Sequence, residues 1–392
     1  MRRVNRFGIL AALLFVVSAA HAENNPRLIA FQQGRKIALI QPDGSGLRTL
    51  VEDAATGIPY WSPDGTRIAF LSLFRGQTGF QENLSIINAD GSDRHTLPDG
   101  DGPNPPRPAD QRPDDPLSTI QNMVWSPDSQ QIAFEWTNWQ REALFVVNAD
   151  GSSPRRMPHG GVSAEVAWSR DSRELAYIGH DYDRISLYIT SADGRRSRTV
   201  LPDAHRVSSF IWSPDEKQFI FMGSGPDSYR PDIYRIDADG SNLARLTSGE
   251  DSYRLPSWSA DGAYILMVRS VAIGGPGDVY VMKRDGSDGR FLTQTGDVTG
   301  ARWFGNTHQI VYYFRKDKLN ALRLLDFDGH ILPVPDKAAD ALMVRWSPDG
   351  QQIAFIRTED NGERGLYVVD ADGTDLRRIA DGTGWPTWQP GG

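Results

Sequence analysis

The pattern Trp-Ser-Pro-Asp-Gly stands complete at 61–65 and 346–350, and degenerate copies start at Trp125, Trp168, Trp212, Trp258, Trp303 and Trp388. The steps between successive tryptophans are 64, 43, 44, 46, 45, 43 and 42 residues. A second pattern, x-x-Asp-Gly, ends at Gly44, Gly91, Gly151, Gly194, Gly240, Gly286, Gly329 and Gly373, alternating with the first. Two interlocked signals at one period identify a repeat architecture, so the chain folds as an array of like units.

Each unit reads as four short strands. In the unit around Trp125, a first strand ends at 123–125 and a Ser-Pro-Asp-Ser turn follows, with Pro presetting φ at the second turn position. A second strand spans 131–136, a third 144–147, and a hairpin through Ala149-Asp150-Gly151 leads to a short fourth from 155. Second-strand runs recur at 67–71, 174–178, 218–222, 263–268, 308–314 and 352–356. Four strands per unit at this period predict an all-β propeller. The apolar residues lack the 3.6-residue spacing that a helical solenoid needs.

The two ends complement each other. Residues 27–51 supply a second, third and fourth strand, and 384–390 supply the missing first strand. Pairing them closes one propeller domain over 27–390 and removes exposed sheet edges. Seven whole units plus one split blade make eight; seven blades with a leftover half-unit is the alternative. The unit at Trp303 is the weakest, since Phe304-Gly305-Asn306 replaces Ser-Pro-Asp.

Residues 1–22 read as a secretory signal peptide. Arg2, Arg3 and Arg6 precede an apolar run from Phe7 to Ala20, and Ala20-His21-Ala22 suits cleavage after Ala22. The apolar run is short for a bilayer span, and no later stretch is long and apolar enough to be one. The expected location is periplasmic or secreted. Zero cysteine excludes disulfides, zinc–thiolate sites and a cysteine nucleophile. A formal charge of −8 argues against a nucleic-acid partner.

The pattern Trp-Ser-Pro-Asp-Gly…Ile-Ala-Phe…Asp-Ala-Asp-Gly…Arg-x-Leu-Thr resembles the propeller repeat of the TolB family, over residues 27–388. The resemblance implies a protein of the cell envelope that works by binding, with lipoproteins as a partner class. The family's namesake carries an α/β domain before its propeller; the reading here expects none.

In such blades the first-to-second and third-to-fourth turns share one face, and they are short and repetitive. The second-to-third loops and the blade links share the other, and they vary in length. Binding residues concentrate on variable loops held by a rigid scaffold. The largest variation is the proline-rich insertion at 98–116, with seven prolines and five aspartates. Tyr, Trp and Arg dominate interface hot spots, and Trp139, Tyr182, Tyr229, Arg230, Tyr253 and Arg254 are therefore the candidate binding residues. The expected function is a non-catalytic interaction scaffold. A glycan- or peptide-binding propeller, or a propeller lyase or hydrolase with a site in the mouth, are the alternatives.

Catalytic motifs are missing from the sequence: there is no Gly-x-Ser-x-Gly, no His-Glu-x-x-His and no phosphate-binding glycine loop. His159, His180 and His205, on successive loops, are the one set of histidines that could converge on a metal. No cofactor and no metal site are expected.

Overall fold

The computed structural model describes residues 27–52, 55–76, 79–97, 119–137, 142–159, 165–181, 184–201, 206–225, 231–272, 274–304, 308–316, 319–332, 342–359, 361–382 and 384–391. They form eight four-stranded antiparallel sheets. Seven sheets are consecutive in sequence, and blades 1 to 7 take their first strands from Ala55–Trp61, Thr119–Trp125, Val166–Trp168, Arg206–Trp212, Ser252–Trp258, Val298–Trp303 and Leu342–Trp346. The eighth is the expected split blade: Ile29–Gln33, Lys36–Ile40 and Arg48–Val51 are joined by Thr387–Trp388, with Ile29 opposite Trp388 and Ala30 opposite Thr387. First strands touch across five of the eight blade junctions (8 to 1, 2 to 3, 4 to 5, 5 to 6 and 7 to 8), which marks them as the innermost strands. Among the described residues no helix is long and apolar enough to cross a membrane.

The tryptophans explain the period. Each packs between two sheets, and most indoles also donate across to the blade before. Trp125 Nε1 donates to the Tyr60 carbonyl (3.1 Å), Trp168 to Val124 (3.1 Å), Trp303 to Ser257 (3.2 Å), Trp388 to Arg345 (3.0 Å) and Trp61 to Thr387 (3.2 Å). The acceptor is in every case the carbonyl of the residue just before the previous blade's tryptophan. One side chain thus buries a large ring and satisfies a carbonyl on the inner strand. Trp212 donates to Glu216 in its own blade instead (3.1 Å).

The turn aspartates serve local geometry. Asp64 accepts from Ser62 Oγ (2.5 Å), from the Thr66 N–H (3.0 Å) and from Thr66 Oγ1 (2.8 Å). The same Ser–Asp bond recurs at 126/128, 169/171, 213/215, 259/261 and 347/349. The fifth residue of the motif needs a left-handed backbone, which glycine gives at 65, 262 and 350. Ser129, Ser172 and Glu216 hold the same conformation at φ 57–61°. Each offsets that strain with a bond to the preceding blade. Ser129 Oγ accepts the Asp64 N–H, Ser172 Oγ that of Asp128, and Glu216 Oε1 that of Arg170. A degenerate motif thus keeps its turn and gains an inter-blade contact.

The inner strands are irregular in a way the repeat pattern does not announce. Those of blades 1, 2, 4, 5, 6 and 7 slip register against their second strands. In three of them a non-glycine residue takes positive φ at the slip: Asn122, Leu255 and Met343, at 49–54°. Each stands three residues before its tryptophan. For Leu and Met this backbone is an outlier. A bulge there bends the strand and re-aims the side chains next to it.

Candidate functional site: the loop-bearing face and the axial channel

The eight first strands place two side-chain layers around the axis. The residue immediately before each tryptophan forms the layer nearest the tight-turn face. It reads Tyr60, Val124, Ala167, Ile211, Ser257, Arg302, Arg345 and Thr387, and all eight are half-buried. The layer is two-sided. Val124, Ala167 and Ile211 of blades 2, 3 and 4 are apolar and pack into the hydrophobic clusters between blades, whereas Arg302, Arg345, Thr387 and Tyr60 bring polar groups to blades 6, 7, 8 and 1.

Arg345 is the most constrained member. Its guanidinium lies 4.4 Å from the Trp385 ring centroid and donates to the Val344 carbonyl (3.1 Å). Burial chiefly, and then the neighbouring charge of Arg302, bring its pKa down to about 10, while Tyr313 and Tyr60 act the other way. Those partners belong to blades 6, 8 and 1. Only near the axis can one side chain of blade 7 interact with all of them.

A second layer stands three residues before the tryptophans. Here Glu165 of blade 3 accepts the Phe210 N–H of blade 4 (2.5 Å). Burial pushes its carboxyl up to about 7, against which the Phe210 bond acts. The folded-state pKa lies above the ordinary 4.5, so ionising Glu165 costs more in the fold than in the unfolded chain. Its contribution to stability is therefore best below about pH 4.5 and worsens as pH rises to 7 and beyond, by roughly 3 kcal/mol in full. Glu165→Gln should remove this slope, so that its unfolding free energy gains on the wild type between pH 5 and 8. Parallel urea titrations across that range check it, and identical pH profiles would refute it.

The candidate binding residues divide. Trp139, Tyr182, Tyr229 and Arg230 lie outside the described residues, as does the insertion 98–116. Tyr253 and Arg254 are described and stand side by side on the inner strand of blade 5. Tyr253 is 4% exposed and packs with Ile220, Ile233, Trp258, Ile265 and Met267. Arg254 reaches blade 6, where it donates to the Val298 carbonyl (3.0 Å), and it also bonds the Gly275 carbonyl. Its Nε is buried with no partner among the described residues. Sequence reasoning missed Arg269, which pairs with Asp251 (2.5 Å) and lies 4.9–5.8 Å from the ring centroids of Tyr253, Tyr280 and Phe291. Its partners come from three strands, so no local spacing marks it.

The histidines keep separate company where they are described. His159 stacks on Tyr188 (3.8 Å between centroids) and shares a hydrogen bond with Ser197 Oγ (3.0 Å). His180 pairs across its hairpin with Ile185, and His205 lies outside the described residues. Asp326, Asp328 and His330 come within 4.8 Å of one another. There Asp326 accepts the backbone N–H groups of Asp328 and His330 and meets His330 Nδ1 (2.9 Å), whereas in other blades the aspartate beside the turn glycine is the acceptor, as Asp90 is for Ser92.

Comparison with known proteins agrees with this architecture. Residues 125–341 match the TolB beta propeller domain family. The Tol-Pal system protein TolB of Alcanivorax borkumensis is 30% identical over 111 residues, 27% of this chain and 23% of that protein. The chain thus matches under a quarter of that relative's length. A solved structure from a study of two prolyl endopeptidases superposes with a TM-score of 0.58 at 12% identity, covering 84% of this chain and 50% of that one. An oligogalacturonate lyase in complex with manganese gives 0.55 at 16% identity, covering 89% and 98%. At such identities the likeness is one of fold. The family match spans more than half of the chain and every repeat within it has the blade geometry described above, so the chain belongs to the TolB β-propeller domain family.

Proposed function

We propose that this chain is a non-catalytic interaction scaffold of the cell envelope, exported by residues 1–22, which binds a protein partner through its loop-bearing face. The observation that carries this reading is the asymmetry of the ring. One face is tied down in every blade by hydrogen-bonded turns: Gly44 to Gln41, Gly91 to Asn88, Gly151 to Asn148 and their equivalents. The opposite face receives the second-to-third loops and the blade links, which differ in length from blade to blade. A rigid ring with one variable face suits recognition of a large surface, where a few aromatic and arginine anchors carry the binding. Membership of the TolB propeller family supports an envelope partner, with a lipoprotein as the class to look for first.

Affinity purification of the full chain from its native envelope under mild crosslinking tests the reading. A stoichiometric protein partner is expected. Deleting residues 99–116 should lose it, and substituting Trp139 and Arg230 together by Ala should weaken it at least about tenfold, hot-spot truncations costing 2 kcal/mol or more. Thermal stability should be unchanged in both. A partner retained by both variants would move the interface elsewhere, and a preparation with none would remove the scaffold reading.

A further inference from the structure

Blades 5, 6 and 7 each place an arginine on their innermost strand: Arg254, Arg302 and Arg345. Arg302 and Arg345 occupy the same register position on adjacent blades, and both reach the Val344 carbonyl, Arg302 Nη2 at 3.4 Å and Arg345 Nη1 at 3.1 Å. The two guanidinium groups therefore meet at one oxygen. Among the described residues neither has a carboxylate partner. The rest of their surroundings is aromatic: Arg302 donates to Tyr313 Oη (2.6 Å) and lies 5.6 Å from that ring's centroid, and Arg345 lies against Trp385.

Two like charges brought together away from water are unfavourable unless something offsets them. Cation–π contact offers a part of this. A guanidinium has five N–H donors, and Arg345 donates a single bond to the described protein atoms. The carboxylate on the same axis is of no help. Glu165 stands on blade 3, four blades from Arg345 across an eight-bladed ring, and its bond goes to Phe210. Among the described residues the pair has aromatic neighbours, unused donors and no counter-charge.

We propose that the axial channel between blades 6 and 7 is an oxyanion-binding site, in which Arg302 and Arg345 hold a carboxylate or phosphate group of a ligand that enters the channel. Both guanidinium planes can present paired N–H groups, the geometry that suits two oxygens of one anion. Trp385 covers one side. Glu165, in the second layer, disfavours a second anionic group there when it is ionised. The site stands at the tight-turn end of the inner strands, so it is independent of a protein partner on the loop-bearing face.

Calorimetric titration of the full chain with inorganic phosphate, and separately with glutarate, tests the proposal, with ionic strength held constant by sodium chloride. Saturable binding of at least one of the two is expected, with one anion per chain. Glutarate bound more tightly than phosphate would identify a carboxylate ligand, and the reverse a phosphorylated one. Arg345→Gln and Arg302→Gln should each weaken binding about tenfold or more. Arg345→Lys should recover only part of the loss, since a lysine keeps the charge and loses the fork. The unliganded thermal stability of both Gln variants should be equal to or above that of the wild type, because a like-charge contact is removed. The proposal is overturned by no saturable binding of either anion, or by affinity unchanged in the double Gln variant. A fall in the variants' unliganded stability with unaltered anion affinity would make the pair purely structural, and would overturn it equally.

Discussion

A chain shortened to end at Asp381 should lose cooperative folding, because the last strand closes the ring. Thr387–Trp388 is short, yet it is anchored on three blades. Trp388 is 7% exposed and its indole donates to Arg345 of blade 7. Thr387 Oγ1 donates to the carbonyls of Ala30 (3.3 Å) and Pro59 (3.1 Å), and its own carbonyl accepts from Trp61 of blade 1. Gln389 exchanges bonds with Leu28 and donates to the Gly65 carbonyl (2.7 Å). Truncating a buried tryptophan alone costs about 3–5 kcal/mol. A whole domain has only about 5–15 kcal/mol to lose. The shortened chain would also expose Ile29–Gln33 as a free edge, an invitation to self-association. Urea unfolding followed by tryptophan fluorescence should show a broad, low-midpoint transition, and size-exclusion chromatography should show larger species. Trp388→Ala in the full chain is the milder version, with a loss of about 3–5 kcal/mol and a monomer retained. A shortened chain as stable as the full one would mean that the ring does not depend on its closing strand.

Asp232→Ala should destabilise the fold by about 1–3 kcal/mol, because it strips a buried hydroxyl of its acceptor. Asp232 opens the third strand of blade 4 and is 3% exposed. It bonds Arg245 (2.5 Å) and accepts from Thr247 Oγ1 (3.0 Å), and that hydroxyl in turn accepts the Ile233 N–H (2.9 Å). Removing the carboxylate leaves the Thr247 hydroxyl without its acceptor and Arg245 without its charge partner. Asp232→Asn keeps an acceptor and should cost less, and Thr247→Val should cost about 1–3 kcal/mol for the orphaned N–H. Blade 5 has the same latch in Asp278 and Thr293, where Thr293 Oγ1 donates to Asp278 (3.0 Å) and accepts the Val279 N–H (2.9 Å). Asp278 is the more exposed of the two, so Asp278→Ala should be the weaker variant. Equal losses at the two positions would rule out burial as the cause of the difference.

The architecture was legible because a propeller writes its period into turn chemistry. Ser-Pro-Asp-Gly and x-x-Asp-Gly are dictated locally, and the structure keeps every one of the second strands within two residues of its expected start, as at Gln131–Thr137 and Gln218–Ser224. The split blade was legible for the same reason. The channel was not. Its bulges arise from how the inner strand meets its neighbours, and neither Leu255 nor Met343 looks like a left-handed residue in sequence. Arg302 and Arg345 did carry a signal, since both directly precede a repeat tryptophan where the other six blades have uncharged residues. That signal appears only when the units are aligned on the tryptophan and compared column by column. Tyr253 and Arg254 show the opposite difficulty. Residue type made them candidate binding residues, but it carries no trace of the ring's enclosure by its blade or of the carbonyls that engage the guanidinium.

The split blade also sets a timetable for synthesis. Residues 29–51 leave the ribosome well before their partner at 387–388. At about 5–20 residues per second, the interval is on the order of 20–70 s. Through all of it the three early strands have one face of their sheet and one edge waiting for atoms that do not yet exist. Blades 1 to 7 can stack on one another in turn, but the circle stays open until the end. A nascent chain of this design is held back from its final shape by its own topology.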